Sequence, residues 1–263
     1  MSNNNFDYTG AYLDQLSGLM SESDDFNTMA QELHKLTESL IANLPKPSQE
    51  MIEEYQNDMD SMLSVGERYQ ERYDELARQT SEDTVRIEYA GGGELLHRGY
   101  HCPSPLLDKL VGGYKRGRKV REPKAGTKYY YKYYYDEHNR MLRCDKYEGN
   151  RCLEIEFVIK EEDHRYGLSF LPDCSSINRL SLEKYSDNGL LGKYLTVLPD
   201  FYTGEQNHSI HTSEKYEYDE NNQIAKVVFV SGGVPKLKLL QEEMYTVLRD
   251  EHQVVVGFKA DKI

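Results

Sequence analysis

Alternating apolar and polar residues in the C-terminal half of the chain predict a series of β-hairpins. A Tyr-, Val- or Ile-rich run, a short group of Asp, Glu, Asn or His, and a second such run recur five times. Asp and Asn suit tight turns because they bond to nearby backbone and tolerate left-handed geometry, whereas tyrosine and β-branched residues suit strands. The predicted hairpins begin near Tyr133, Phe157, Glu183, Tyr216 and Tyr245. They predict an antiparallel meander of about ten strands.

The N-terminal third has a helical period instead. Apolar residues fall three and four positions apart over residues 26–40, and again over residues 52–76. Each series places one apolar stripe along a helix. Pro45 and Pro47 separate the two helices, and Ser48 is placed to cap the second one. Because the connection is short, we expect an antiparallel helical hairpin.

A basic loop follows in the middle of the chain. Residues 115–128 hold seven basic side chains against one glutamate, with glycine and proline between them. Such a loop can contact phosphate, or it can neutralise the acidic helices of its own chain. The predicted basic contact residues are Lys115, Arg116, Arg118, Lys119 and Arg121.

Tyrosines fill six of the seven positions from 129 to 135. In a strand they alternate between the two faces of the sheet, so we expect some of them to stay exposed. Exposed tyrosines favour protein contacts and also stack on nucleic-acid bases, whereas tyrosines that cover a neighbouring strand have a purely structural role. The residues predicted to contact a partner are Tyr129, Tyr131, Tyr133 and Tyr135.

The predicted fold class is therefore α+β, with the N-terminal helical hairpin followed by a large antiparallel meander of successive hairpins. We expect an acidic helical hairpin over residues 1–80, a mixed connector with the basic loop over residues 81–128, and the hairpin array over residues 129–263. A long meander exposes strand edges, which makes a homo-oligomer one expected outcome.

Charge is concentrated on the helical part. The first 80 of the 263 residues carry 16 acidic and 5 basic side chains, a net of −11, out of −13 for the whole chain. This excess disfavours nucleic-acid binding by the helices and favours a basic protein partner. The acidic residues predicted to contact that partner are Glu50, Glu53, Glu54, Asp58 and Asp60.

Motifs that would indicate catalysis are missing from the sequence. It has no nucleophile elbow, phosphate-binding loop or dinucleotide fingerprint. His208 with His211, and His97 with His101 and Cys102, are the only weak candidates for zinc ligands, and neither group has a complete ligand set. We therefore predict no catalytic residue, no metal site and no cofactor.

Targeting signals are also missing from the N-terminal residues, which lack a basic start followed by an apolar stretch. No apolar run reaches the length of about 20 residues needed to span a membrane. We expect a cytoplasmic protein with reduced cysteines and no membrane partner.

Three of the hairpins resemble known repeats. Tyr133-Tyr-Tyr-Asp-Glu-His-Asn-Arg-Met-Leu and Tyr216-Glu-Tyr-Asp-Glu-Asn-Asn-Gln-Ile-Ala resemble the YD repeats of Rhs-type proteins. Glu183-Lys-Tyr-Ser-Asp-Asn-Gly-Leu-Leu is similar to the repeat units of MORN-like antitoxins. The resemblance is confined to about residues 130–258. It implies a β-meander and a role in neutralising a toxin or effector, and it transfers no catalytic residue.

These observations favour a non-enzymatic protein-binding module that neutralises a partner protein, as an immunity protein, an antitoxin or a phage-conflict inhibitor does. One alternative is an acidic decoy that mimics nucleic acid and blocks a nucleic-acid-binding protein. A third is a hydrolase or metal enzyme without a recognisable motif. Direct contact with nucleic acid through residues 115–128 is a weaker alternative than a protein partner.

Overall fold

The computed structural model describes residues 48–161, 163–173, 176–198, 210–233 and 241–261. By the density of internal contacts, the described residues all belong to one compact unit, Pro47–Ile263. The helix predicted over residues 26–40 lies outside the described residues. No helix in the described part of the chain is long and apolar enough to cross a membrane.

Twelve strands in the described ranges form one antiparallel sheet. The strands are β1 (Arg86–Gly91), β2 (Arg118–Val120), β3 (Tyr129–Tyr135), β4 (Met141–Glu148), β5 (Arg151–Glu161), β6 (His164–Phe170), β7 (Ile177–Tyr185), β8 (Leu191–Leu198), β9 (Ile210–Tyr218), β10 (Ile224–Gly233), β11 (Gln241–Arg249) and β12 (Val255–Asp261). From β3 to β12 each strand pairs with the next along the chain, while β1 lies between β3 and the edge strand β2. The predicted antiparallel meander is confirmed.

All five predicted hairpins are present, as β3–β4, β5–β6, β7–β8, β9–β10 and β11–β12. The β3–β4 turn shows why Asp and Asn recur. The Asp136 carboxylate accepts hydrogen bonds from the backbone N–H of His138 and Arg140, and Asn139 is left-handed with φ 60°. Equivalent pairs of a carboxylate acceptor and a left-handed residue are Asp219 with Asn222 and Asp250 with Gln253. In the β7–β8 turn, Gly189 is left-handed and the Asn188 Oδ1 accepts from the Leu190 N–H.

Helices α1 (Gln49–Tyr69) and α2 (Tyr73–Asp83) precede the sheet, and a short helix α3 (Leu107–Leu110) lies between β1 and β2. Ser48 caps α1 as predicted, because its hydroxyl accepts from the Met51 N–H at 3.1 Å. The single helix predicted through residues 52–76 is wrong, since α1 ends at Tyr69 and a separate helix, α2, begins at Tyr73. The break redirects the chain so that the Tyr73 ring meets Phe157 and Phe170 edge-on.

The two faces of the sheet are covered differently. Adjacent residues in β7 show the division, because neighbours in a strand point to opposite faces. Lys184 pairs with Asp58 of α1, whereas Glu183 pairs with Arg98 from the other side. Helices α1 and α2 pack over one face, where Tyr55, Met59 and Met62 join the largest apolar cluster. Residues 92–117, which we call the cover segment, pack over part of the opposite face, where Leu106 joins a second apolar cluster with Tyr194 and Tyr216.

Candidate functional site

The cover segment is fastened to the sheet by a buried arginine. Arg98 donates to Glu156 through Nε (3.0 Å) and Nη2 (2.8 Å), and to Glu183 through Nη1 (2.5 Å). All three side chains are buried. Burial alone would raise the pKa of the Glu156 carboxyl, but Arg98 and His97 outweigh burial and hold it well below its usual range. The carboxylate therefore stays ionised, and the bidentate pair fixes the cover segment in place.

His97 completes this network. Its ring contacts the Glu156 carboxylate through Nε2 at 2.8 Å and the Tyr194 hydroxyl through Nδ1 at 2.5 Å. Burial lowers the pKa of His97 despite the neighbouring carboxylate. Because both ring nitrogens already have partners beneath the cover segment, the geometry indicates a structural role for this histidine.

A second buried carboxyl, Glu214, secures the other end of the cover segment. It accepts from the hydroxyls of Ser104 and Tyr216, each at 2.6 Å. Burial raises the pKa of Glu214. Arg116 reinforces this end by donating to the carbonyls of Cys102 and Ser104.

The five acidic residues predicted to contact a partner fall into two groups. Glu54 and Asp58 lie against the sheet: Glu54 pairs with Lys193 and Lys215, and Asp58 pairs with Lys184 and Lys193. These two carboxylates anchor α1 to its own chain. Asp58 is buried and therefore lies outside the predicted contact surface, whereas the Glu54 side chain stays 38% exposed. Glu50, Glu53 and Asp60 are exposed.

The exposed part of the helical layer is strongly acidic. Residues 49–83 include nine exposed carboxylates and only three exposed arginines. We call this surface the acidic helix face, and its carboxylates are Glu50, Glu53, Asp60, Glu67, Glu71, Asp74, Glu75, Glu82 and Asp83. Glu75 is bridged by Arg72 at 2.6 Å, and most of the others have no ion pair in the described part of the chain. The surface therefore keeps a net negative field.

The predicted tyrosine surface requires a correction. Tyr131, Tyr133 and Tyr135 are buried, and Tyr129 is half-buried. The hydroxyl of Tyr133 donates to the Arg98 carbonyl at 2.8 Å, so this side of β3 supports the cover segment. These tyrosines are interior because the cover segment, which has no regular apolar pattern, folds over them.

The five predicted basic residues do not act as one patch. Arg116 is bound within the cover segment, and Lys119 pairs with Glu88 at 2.8 Å. Lys115, Arg118 and Arg121 are exposed. Arg118 and Lys119 belong to the edge strand β2, where the sequence predicted only a loop.

A groove lies on the face of the sheet that the cover segment shares. It encloses about 550 Å³, and Tyr135 and Tyr185 contribute to its lining. We call it the cationic groove, and its basic residues are Arg86, Arg98, Lys119, Arg140 and Arg165. Apart from Lys119, sequence reasoning missed these residues. Arg86, Arg140 and Arg165 share only a place at or next to the start of a strand, and Arg98 has no such signal.

The weak zinc candidates are not brought together by the described structure. Among described residues, no group of three or more His, Cys, Asp or Glu side chains is arranged to hold a metal ion. His101 pairs with Glu88, and burial raises the pKa of the Cys102 thiol to about 12. His208 and the His211 side chain lie outside the described residues.

Comparison with known proteins gives no family to which the chain can be assigned: no family model, curated protein or solved structure matches it.

Proposed function

We propose that this chain is a non-enzymatic protein-binding module whose acidic helix face recognises a basic partner protein and neutralises it. The observation that carries the proposal is the division of the carboxylates on α1. Glu54 and Asp58 fix the helix to the sheet, and Glu50, Glu53 and Asp60 remain exposed.

This division supports recognition because it makes the acidic surface rigid. The inner side of α1 is held by Tyr55, Met59 and Met62 in the apolar cluster, together with the ion pairs. A surface that does not reorganise on binding loses less conformational entropy. Its concentrated charge would also steer an oppositely charged protein and accelerate encounter.

The resemblance of the hairpins to YD repeats and MORN-like antitoxins supports the same proposal at the level of protein class. The meander supplies a broad scaffold, and the helices supply the charged surface. Neutralisation would then follow from covering a basic functional surface of the partner.

The experiment compares two variants with equal loss of charge. Glu50→Gln, Glu53→Gln and Asp60→Asn remove three carboxylates from the acidic helix face. The control triple variant, Asp187→Asn, Glu220→Gln and Glu251→Gln, removes three exposed carboxylates from hairpin turns.

Each tagged protein is purified from its native cells, and the proteins that accompany it are quantified. We expect a basic protein to accompany wild type and the control and to be lost from the helix variant. Equal recovery with all three proteins would contradict the proposal. If nucleic acid displaces the recovered protein, the decoy mechanism replaces simple neutralisation.

A further inference from the structure

The cationic groove runs across the sheet instead of forming a closed pocket. Apart from Lys119 of β2, its strand residues come from β1, β3, β4, β5, β6 and β7, which are consecutive neighbours in the sheet. At about 4.8 Å between strands, the groove is about 24 Å long. One wall is the cover segment at Arg98, His101 and Pro103, and the other includes the β3–β4 turn at Asn139 and Arg140. A long open channel of this kind fits an extended chain better than a compact molecule.

The charge of the groove is opposite to that of the rest of the protein. Five arginine and lysine side chains line it, against the two carboxylates Glu88 and Glu183. Behind the lining, Glu156 pairs with Arg98 and Asp136 pairs with Arg140, so the groove keeps an excess of about one positive charge. The chain as a whole has a net charge of −13. The groove is thus a local site for an anionic ligand on the face of the sheet opposite the helices.

Two arginines in the groove have unused hydrogen-bond donors. Arg165 donates to the Tyr185 hydroxyl at 3.3 Å and lies 3.9 Å from Glu183. Arg140 uses Nε to bind Asp136 at 2.7 Å. Within the described residues, the terminal nitrogens of Arg140 and Nη2 of Arg165 have no partner. A guanidinium with free donors is suited to bidentate binding of a carboxylate.

Tyrosine rings hold two of the guanidinium groups in position. Arg86 lies over the Tyr135 ring at 3.9 Å, and Arg165 lies over the Tyr185 ring at 4.8 Å. Such stacking restrains a flexible arginine before a ligand arrives. Because their own arginines occupy these ring faces, the tyrosines are poorly placed to stack on nucleic-acid bases.

We propose that the cationic groove binds an extended acidic peptide segment of a partner protein, with Asp or Glu carboxylates on Arg140 and Arg165. This site goes beyond the proposed function. It uses the opposite face of the sheet and a ligand of opposite charge, so either proposal can fail without the other.

The test uses a fluorescent peptide of about eight glutamates, which spans the groove at about 3.3 Å per residue. Binding is measured by fluorescence anisotropy at about 50 mM salt, where charge interactions are weakly screened. We expect the wild-type protein to bind the peptide saturably. The double variant Arg140→Gln with Arg165→Gln should bind about a hundredfold more weakly, or about tenfold for each arginine removed. Both side chains are at least 42% exposed. Asp136 loses its ion partner in the variant but keeps its bonds to the backbone N–H groups of His138 and Arg140, so the fold should tolerate the replacement; an unchanged melting temperature verifies this.

The matched control, Arg78→Gln with Arg151→Gln, removes two exposed arginines outside the groove and should bind like wild type. A peptide of about four glutamates should bind at least tenfold more weakly because it spans half the groove. No binding by wild type, equal weakening by the control, or equal binding of the short peptide would overturn the proposal. Tighter binding of tripolyphosphate than of the long peptide would also overturn it and assign the groove to a small anion.

Discussion

Asp58 of α1 and Lys193 of β8 form an ion pair beneath the helix, with side chains only 4% and 7% exposed. Lys193 also pairs with Glu54, and Asp58 also pairs with Lys184. This cluster locks the rotation of α1 about its axis and determines which carboxylates face outward. The composition of the acidic helix face is therefore a consequence of how the helix docks.

Removing the inner carboxylate should destabilise the protein. Asp58→Asn leaves the buried Lys193 ammonium with one carboxylate fewer, and loss of a buried ion partner costs about 3 kcal/mol. Asp60→Asn is the control. Asp60 is exposed, so this substitution should alter the free energy of unfolding by no more than about 0.5 kcal/mol. Urea unfolding measures both free energies of unfolding. If the two variants are equally stable, α1 is not docked through Asp58.

Gly167 should tolerate no side chain. A Cβ there would collide with the Glu156 carboxylate, the Ser181 hydroxyl and the Arg98 guanidinium. Gly167→Ala should therefore cost about 1–3 kcal/mol or more of unfolding free energy. The same change at Gly112, where a Cβ meets nothing within 4 Å, should be nearly neutral. A thermal melt that is unchanged in Gly167→Ala would show that Arg98 does not occupy this position.

The turn geometry can be tested at Asn222, which is left-handed with φ 58°. Asn222→Ala should destabilise the protein by about 1 kcal/mol, because Ala is strained in this conformation. Asn222→Gly should be neutral or slightly stabilising, since glycine adopts it without strain. The two substitutions remove the same amide, so a difference in unfolding free energy isolates the backbone. Equal effects would argue against the left-handed turn.

Stability should fall as the solution becomes more acidic than about pH 6.5. Burial lowers the pKa of His97 from 6.5, so the folded protein binds fewer protons than the unfolded chain below that pH. The stability that this neutral ring contributes is present above pH 6.5 and is lost as pH falls, with a slope of up to about 1.4 kcal/mol per pH unit. Glu214, whose pKa is raised, has the opposite dependence just above pH 4.5.

His97→Gln should therefore flatten the decline in unfolding free energy between about pH 7 and about pH 5.5, whatever its effect at neutral pH. The control is His252→Gln, because the His252 ring is exposed at a hairpin turn. This variant should keep the wild-type dependence of unfolding free energy on pH. Burial also lowers the pKa of His101, which adds a decline of the same sign. His101 and Glu214 are present in every protein compared, so their contributions cancel. A wild-type slope in His97→Gln would place the titration elsewhere.

The hairpin array could be predicted because its determinants are local. Asp136, Asp219 and Asp250 each bind backbone N–H groups within four residues, and alternation defines the flanking strands. The Ser48 cap was predictable for the same reason. The break before Tyr73 was not, because it depends on Phe157 and Phe170, which are distant in sequence.

The candidate sites were harder to predict because they depend on tertiary contacts. Glu53 and Glu54 are adjacent and chemically identical, yet only Glu54 meets lysines on the sheet. Tyr133 looked like a surface residue because nothing in the sequence of the cover segment reveals that it lies over β3. Arg140 and Arg165 are far apart in the chain, and only the strand order places them in one groove.

The most direct test of the central claim is the association rate between this protein and the basic protein recovered with it. The rate is measured at about 0.05 M and about 0.5 M salt for wild type, for the triple variant of Glu50, Glu53 and Asp60, and for the hairpin-turn control. We predict that wild type and the control associate rapidly at low salt and at least tenfold more slowly at high salt, and that the helix variant is slow at both. Association of the helix variant at the wild-type rate, with the same salt dependence, would contradict recognition by the acidic helix face.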